Sequence, residues 1–200
     1  MPVRFLSLLC ATVILFISGL SRGGIDGLPD PVQTDCNAET VVRQVNGGRL
    51  EIKPLAEYRI RAMIVGIKYY ANDGDRSLIA PVDLALAWGR LVDPDVDGHI
   101  TYTQSGRWYY FRWVGGTVDT DYIYRHSANN HIIPADDTVL EEIKKFSVRQ
   151  KVLLQGYLVE ARLSYPNGRW FKWKSSLTRN DTGDGSCEVF YVKSAAPAED

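Results

Sequence analysis

Residues Asp136–Leu163 read DDTVLEEIKKFSVRQKVLLQGYLVEARL, and a change of period inside that stretch decides the fold class. Up to Phe146 the apolar side chains fall at helical spacing, with Val139, Leu140, Ile143 and Phe146 on one face. Asp136 and Asp137 stand at the positive end and Lys144 and Lys145 at the negative end. Thr138 and Glu141 have capping-box spacing, so a helix is predicted over 136–146. From Lys151 the period drops to two. Val152, Leu154, Gly156, Leu158 and Glu160 alternate with Leu153, Gln155, Tyr157, Val159 and Ala161, which predicts a long strand ending at Leu163.

Working outward, Pro166-Asn167-Gly168 predicts a hairpin turn that leads back through Arg169–Leu177, and Cys187–Val192 is expected to be the closing strand. Upstream, Arg49–Lys53 alternates like a short strand. Glu57–Tyr70 predicts a long one that becomes apolar on both faces. Pro81–Leu91 (PVDLALAWGRL) has Leu84, Ala85, Trp88 and Leu91 at helical spacing behind a proline, and predicts a short helix. Ile100–Trp113 alternates around Gly106. Tyr122–Tyr124 is short and β-prone, and His126–Ala135 reads as a loop before the helix. The sum is a β-rich α+β fold: an antiparallel sheet or a small OB-like barrel of about six or seven strands, with one clear helix. That domain spans 49–193, after a linker and arm over 23–48, and is followed by a frayed tail over 194–200.

Arg4 followed by the apolar run Phe5–Leu20 predicts a signal peptide or membrane anchor over 1–22. The run is a little short for a spanning helix of ~20 residues. Either outcome places the domain outside the cytoplasm. Cys10 lies in the leader, which leaves Cys36 and Cys187, and an even pair in an oxidising compartment predicts a disulfide. Closing so long a loop would contribute roughly 5 kcal/mol on chain entropy alone.

With 45% hydrophobic and 24% charged residues and a net charge of -1, the chain has no overall basic footprint for nucleic acid. Nothing in it implies a cofactor. Asp93, Asp95 and Asp97 in DPDVDGHI resemble the first half of a calcium loop, but Gln104 stands where a bidentate glutamate would be needed. Asp181, Asp184 and Glu188 are a second set of cation candidates, in a loop whose glycines also serve the turn. His126 and His131 are the candidate ligands or bases of a metal-dependent or His-based hydrolase. The aromatic and basic strands 107–113 and 169–174 supply Trp108, Tyr110, Arg112, Trp170 and Lys172 as candidate binding residues. Large rings beside cations can stack on sugars or anchor a partner.

Three segments, PVDLALAWG (81–89), HSANNHIIPA (126–135) and SSLTRNDTG (175–183), resemble an uncharacterised group of exported bacterial envelope proteins. The resemblance implies a periplasmic or inner-membrane location facing the periplasm and implies no chemistry. The expected role is a non-catalytic binding or assembly module with an envelope protein or glycan as partner, tethered through residues 5–20 if the leader is retained. The alternatives are the hydrolase and a structural component of a membrane complex.

Overall fold

The computed structural model describes residues 27–180 and 187–198. The predicted leader and the loop acids Asp181 and Asp184 lie outside the described residues. An N-terminal arm carries β1 (Val32–Thr34) and β2 (Val41–Val45) and leads into β3 (Gly48–Tyr69), one strand where two were expected. Pro54 interrupts that strand without ending it. The pairing with its neighbour shifts register between Pro54 and Ala56, a bulge that accommodates a residue with no N–H to donate. Then follow α1 (Asp75–Ile79), β4 (Val82–Ala87), a single 3-10 turn (Arg90–Val92), α2 (Pro94–Asp97), and the hairpin β5 (Ile100–Ser105) and β6 (Trp108–Trp113). After α3 (Thr120–His126) come β7 (Ser127–Pro134), α4 (Asp137–Lys144), β8 (Lys151–Ser164), β9 (Trp170–Lys174) and β10 (Glu188–Pro197).

The main sheet is mixed. β3 pairs with β4, β4 with β7 and β8 with β3, all antiparallel. β10 pairs antiparallel with β8 but parallel with β7, which corrects the expectation of a purely antiparallel sheet. The chain reaches β8 from β7 through α4 and returns by β10, so β7 and β10 run the same way. The pairing order β3–β4–β7–β10–β8 comes back to β3. Gly156 makes the tight passage. It is paired with Tyr58 on one side and Val192 on the other, and a Cβ there would run into the Tyr191 carbonyl.

Ile60, Ile64, Leu84, Leu86, Ile132, Leu154, Leu158 and Phe190 from these strands pack in one core cluster, and α4 adds Val139 and Ile143 to it. A separate cluster packs Met63, Val65, Ala85 and Ala87 under the β5–β6 hairpin through Ile100. β4 is therefore buried on both faces, and all six of its residues are inaccessible. Apart from Asp83 the strand is apolar on both faces and carries no period-two signature, which is why 81–91 resembles a helix in sequence. β7 is likewise wholly buried, a central strand where a loop was expected. Tyr122–Tyr124 belongs to α3. Ser194–Pro197, expected to fray, continue the last strand against Leu153–Gln155 and Val152.

Candidate functional site

Asp83 is the polar centre of the molecule, with none of its surface exposed, at the second position of β4. Four donors satisfy its carboxylate. Oδ1 accepts from Arg107 Nη1 and from His131 Nδ1, each at 2.9 Å. Oδ2 accepts from Asn129 Nδ2 at 3.2 Å and lies 3.1 Å from the Tyr70 hydroxyl. A carboxylate only accepts, so His131 carries its proton on Nδ1. Burying an ionised carboxylate is costly unless it is paired and fully hydrogen-bonded, and this one is both.

Each partner is delivered by backbone geometry. His131 lies directly opposite Asp83 in the β4–β7 ladder. Asn129, two residues earlier, shares its face, accepts from Gln104 Nε2 at 3.0 Å and donates to the Arg107 carbonyl at 3.1 Å. Arg107 sits in the two-residue loop of the β5–β6 hairpin. Gly106 takes the positive-φ position before it, the glycine-first arrangement of a II′ turn. That turn drops the guanidinium inward, where Nε donates to Asp73 Oδ2 at 2.7 Å and Nη1 also reaches the Ala80 carbonyl at 2.9 Å. The guanidinium lies 3.5 Å from the centroid of the Tyr70 ring, and the Tyr70 hydroxyl also contacts the Gly106 carbonyl. Burial first, and then the charge of Asp83, holds the Tyr70 hydroxyl protonated well above the ordinary tyrosine range.

Above this network opens a cleft of roughly 700 Å³. The β3–β4 connection contributes Tyr70, Asp73 and Arg76, the hairpin tip Arg107 and Trp108, and β7 His131. β9 contributes Phe171 to Lys174, and Cys187 and Lys68 also line it. Of the five predicted binding residues, Trp108 and Lys172 line it. Tyr110 and Arg112 are exposed on β6 outside the lining. Trp170 is exposed at the start of β9 beneath the Arg162 guanidinium.

The two predicted histidines part company. His126 lines a second cleft of roughly 430 Å³ with Asp30, Tyr58, Trp88, Arg179 and Glu188, so the pair does not form one site. There the Trp88 indole donates to Asp30 at 3.2 Å, and buried Glu188 is ion-paired with Arg179. Burial pushes the Tyr58 hydroxyl up to about 12, with the Arg179 charge pulling the other way. Asp93, Asp95 and Asp97 do not converge as a cation cage. Asp93 and Asp95 face Arg90 at 3.7 and 3.6 Å, and Asp97 pairs with Arg149. Among the described residues no group of three or more His, Cys, Asp or Glu is placed to hold a metal ion. Cys36 and Cys187 are half-buried thiols and no disulfide joins them.

Sequence reasoning passed over Asp83 and Tyr70, and took Arg107 only as part of an aromatic and basic strand and Asn129 only as part of a loop. The available signal was a single acid inside PVDLALAWG and an Asn-Asn-His run flanked by apolar residues. A charge inside a buried strand has to be answered by polar groups on its neighbours. No protein family, curated protein or solved structure matches this chain.

Proposed function

We propose that this chain is an exported, non-catalytic binding module of the bacterial cell envelope, built on an OB-like barrel and holding its ligand in the Arg107–Trp173 cleft. The barrel reading is supported by the returning strand order, the parallel β7–β10 pair and the helix between β7 and β8, which together match the OB connectivity. One observation carries the binding reading. The cleft lies over β7, between the β3–β4 connection and the segment bearing β9, and OB barrels hold oligosaccharides and oligonucleotides on that side. The apolar run Phe5–Leu20 supports export. The resemblance of the three segments to envelope proteins supports the compartment, and a glycan or an envelope protein is the partner it favours.

A second reading, a His-based hydrolase, has the His131–Asp83 pair in its favour, since a buried carboxylate fixes the tautomer of a general base in this way. Against it, the same oxygen of Asp83 also neutralises Arg107, and His126 lies in the other cleft.

The test is retention of the full exported protein on immobilised envelope polysaccharide and envelope protein fractions, with soluble products assayed in parallel. Retention should be lost in a Trp108→Ala/Lys172→Ala double variant and kept in His126→Ala. Retention that survives the cleft variants overturns the reading. Release of cleaved product that His131→Ala abolishes establishes the hydrolase instead.

A further inference from the structure

Positive charge is concentrated in the cleft, although the chain as a whole carries a net charge of -1. Lys68, Arg76, Arg107, Lys172 and Lys174 line it against a single lining carboxylate, Asp73. Arg107 is answered by Asp83 and Asp73, and Lys172 reaches Glu160 at 3.5 Å. The remaining three are not ion-paired with any described carboxylate. Two of them rest against rings: Lys68 Nζ is 5.5 Å from the centroid of Tyr70, and the Arg76 guanidinium is 5.7 Å from that of Phe171. A ring face attracts a cation but does not satisfy its N–H donors as an oxygen would. Those donors stay available to an anion. At the floor, Arg107 is only 9% exposed and its Nη2 has no hydrogen-bond partner.

The aromatic residues serve a different purpose from the one their sequence texture suggests. Arg107 covers Tyr70, and the Trp173 ring packs 4.0 Å from His131 with Arg107 at 5.5 Å. Platforms for stacked bases need open faces, and these faces already hold cations and imidazole. Beside Trp108, what the cleft presents to a ligand is a set of positively charged donors.

We propose, on the footing of the binding-module reading, that the cleft takes an acidic polysaccharide. Lys68, Arg76 and Lys174 meet its pendant carboxylate, sulfate or phosphate groups, above the buried Arg107 guanidinium. With three cations (Lys68, Arg76 and Lys174) left without a carboxylate partner among the described residues, a single sugar chain brings at least two anionic groups into the cleft. Neutral sugars leave the same donors unmatched.

The experiment is calorimetric titration of the full exported chain with oligogalacturonate, a dextran sulfate oligosaccharide, a neutral malto-oligosaccharide and an oligothymidylate, at low and at physiological salt. An acidic oligosaccharide should bind, the neutral one should not, and added salt should weaken the complex. Arg76→Ala with Lys174→Ala, both exposed and so not expected to disturb folding, should weaken it about tenfold. Whether oligogalacturonate or dextran sulfate binds tighter decides between carboxylate and sulfate-like groups, and either answer supports the proposal. Equal binding of the neutral sugar overturns it, as does tighter binding of oligothymidylate. Binding that the double variant leaves unchanged also overturns it. If no oligosaccharide binds while envelope fractions still retain the protein, the anionic-glycan proposal fails and the binding-module reading survives.

Discussion

Asp83 and His131 stand directly opposite each other on paired central strands, and their side chains close the distance to 2.9 Å between Oδ1 and Nδ1. The carboxylate ties β4 and β7 to the hairpin tip through Arg107 and to the end of β3 through Tyr70. It thereby fixes the wall of the cleft and the fold beneath it at once.

Asp83→Asn should be among the most damaging single substitutions in the chain. The new side chain keeps the shape but presents an NH₂ group to one pair of donors, either Arg107 with His131 or Tyr70 with Asn129. It also removes the charge that answers a buried guanidinium. Breaking a buried pair in this way costs about 3–5 kcal/mol. Asp73→Asn, which removes the same arginine's partly exposed partner, should cost about 1 kcal/mol or less. Urea unfolding of both variants, read by tryptophan fluorescence, checks the contrast. Equal losses would mean that Asp83 is not the central contact.

Alkaline stability should be set by tyrosines. Burial raises Tyr58 to about 12 and also raises Tyr70 and Tyr102 above the ordinary value near 10. A neutral group whose folded pKa is raised stabilises the fold fully below its unfolded pKa. It loses that contribution as pH rises toward the folded value. Unfolding free energy should therefore hold steady up to about pH 10 and fall from there upward. Tyrosinate absorbance should show a class that ionises only as the protein unfolds. Tyr58→Phe should flatten part of that fall. A full complement of tyrosines titrating near 10 in the folded protein would contradict it.

The parts legible in the sequence are those where one face meets water. α4 has a polar side, so its period of 3.6 survives in Val139 and Ile143, with Phe146 just past its end on the same core, and Pro166-Asn167-Gly168 marks the turn between β8 and β9 with Gly168 at positive φ. β4 and β7 have no wet face. In β4 the apolar run loses its alternation. In β7 the polar run Asn129-Asn130-His131 resembles a loop because its hydrogen bonds are made inside the core. The parallel partnership of β7 with β10 joins residues far apart in the chain, and no local pattern encodes it. Of the cleft, the strand chemistry of Trp108 and Lys172 was visible. The acid that organises it was not, because a lone aspartate signals a network only when its neighbours in space are known.

The start of α4 offers a finer test. The sequence pairs Thr138 with Glu141 as a capping box, but in the structure the cap is Asp136, whose Oδ1 accepts from the Val139 amide at 2.9 Å. Asp136→Ala should lower stability by about 1 kcal/mol by orphaning that amide and removing a negative charge from the positive end of the helix. Thr138→Ala, inside the first turn, should stay within about 0.5 kcal/mol, since alanine is the better helix former there. Thermal unfolding of the two variants decides between the caps, and a larger loss at Thr138 would reinstate the box.

The pairing of β8 with both β3 and β10 rests on Gly156. Its position in β8 faces Tyr58 of β3 and Val192 of β10, and the Tyr191 carbonyl occupies the space where a side chain would begin. Backbone cannot rotate away as the end of a flexible side chain can, so Gly156→Ala must push β10 off β8 or distort both. Overpacking of this kind costs about 1–3 kcal/mol when side chains can yield. Here the obstacle is main chain, and the cost should reach the top of that range or exceed it. Amide exchange should show where it falls: faster exchange across Tyr191 and Val192, with the β5–β6 hairpin protected as before. A stable Gly156→Ala protein with unchanged exchange along β10 would mean that β8 and β10 do not meet as closely as described.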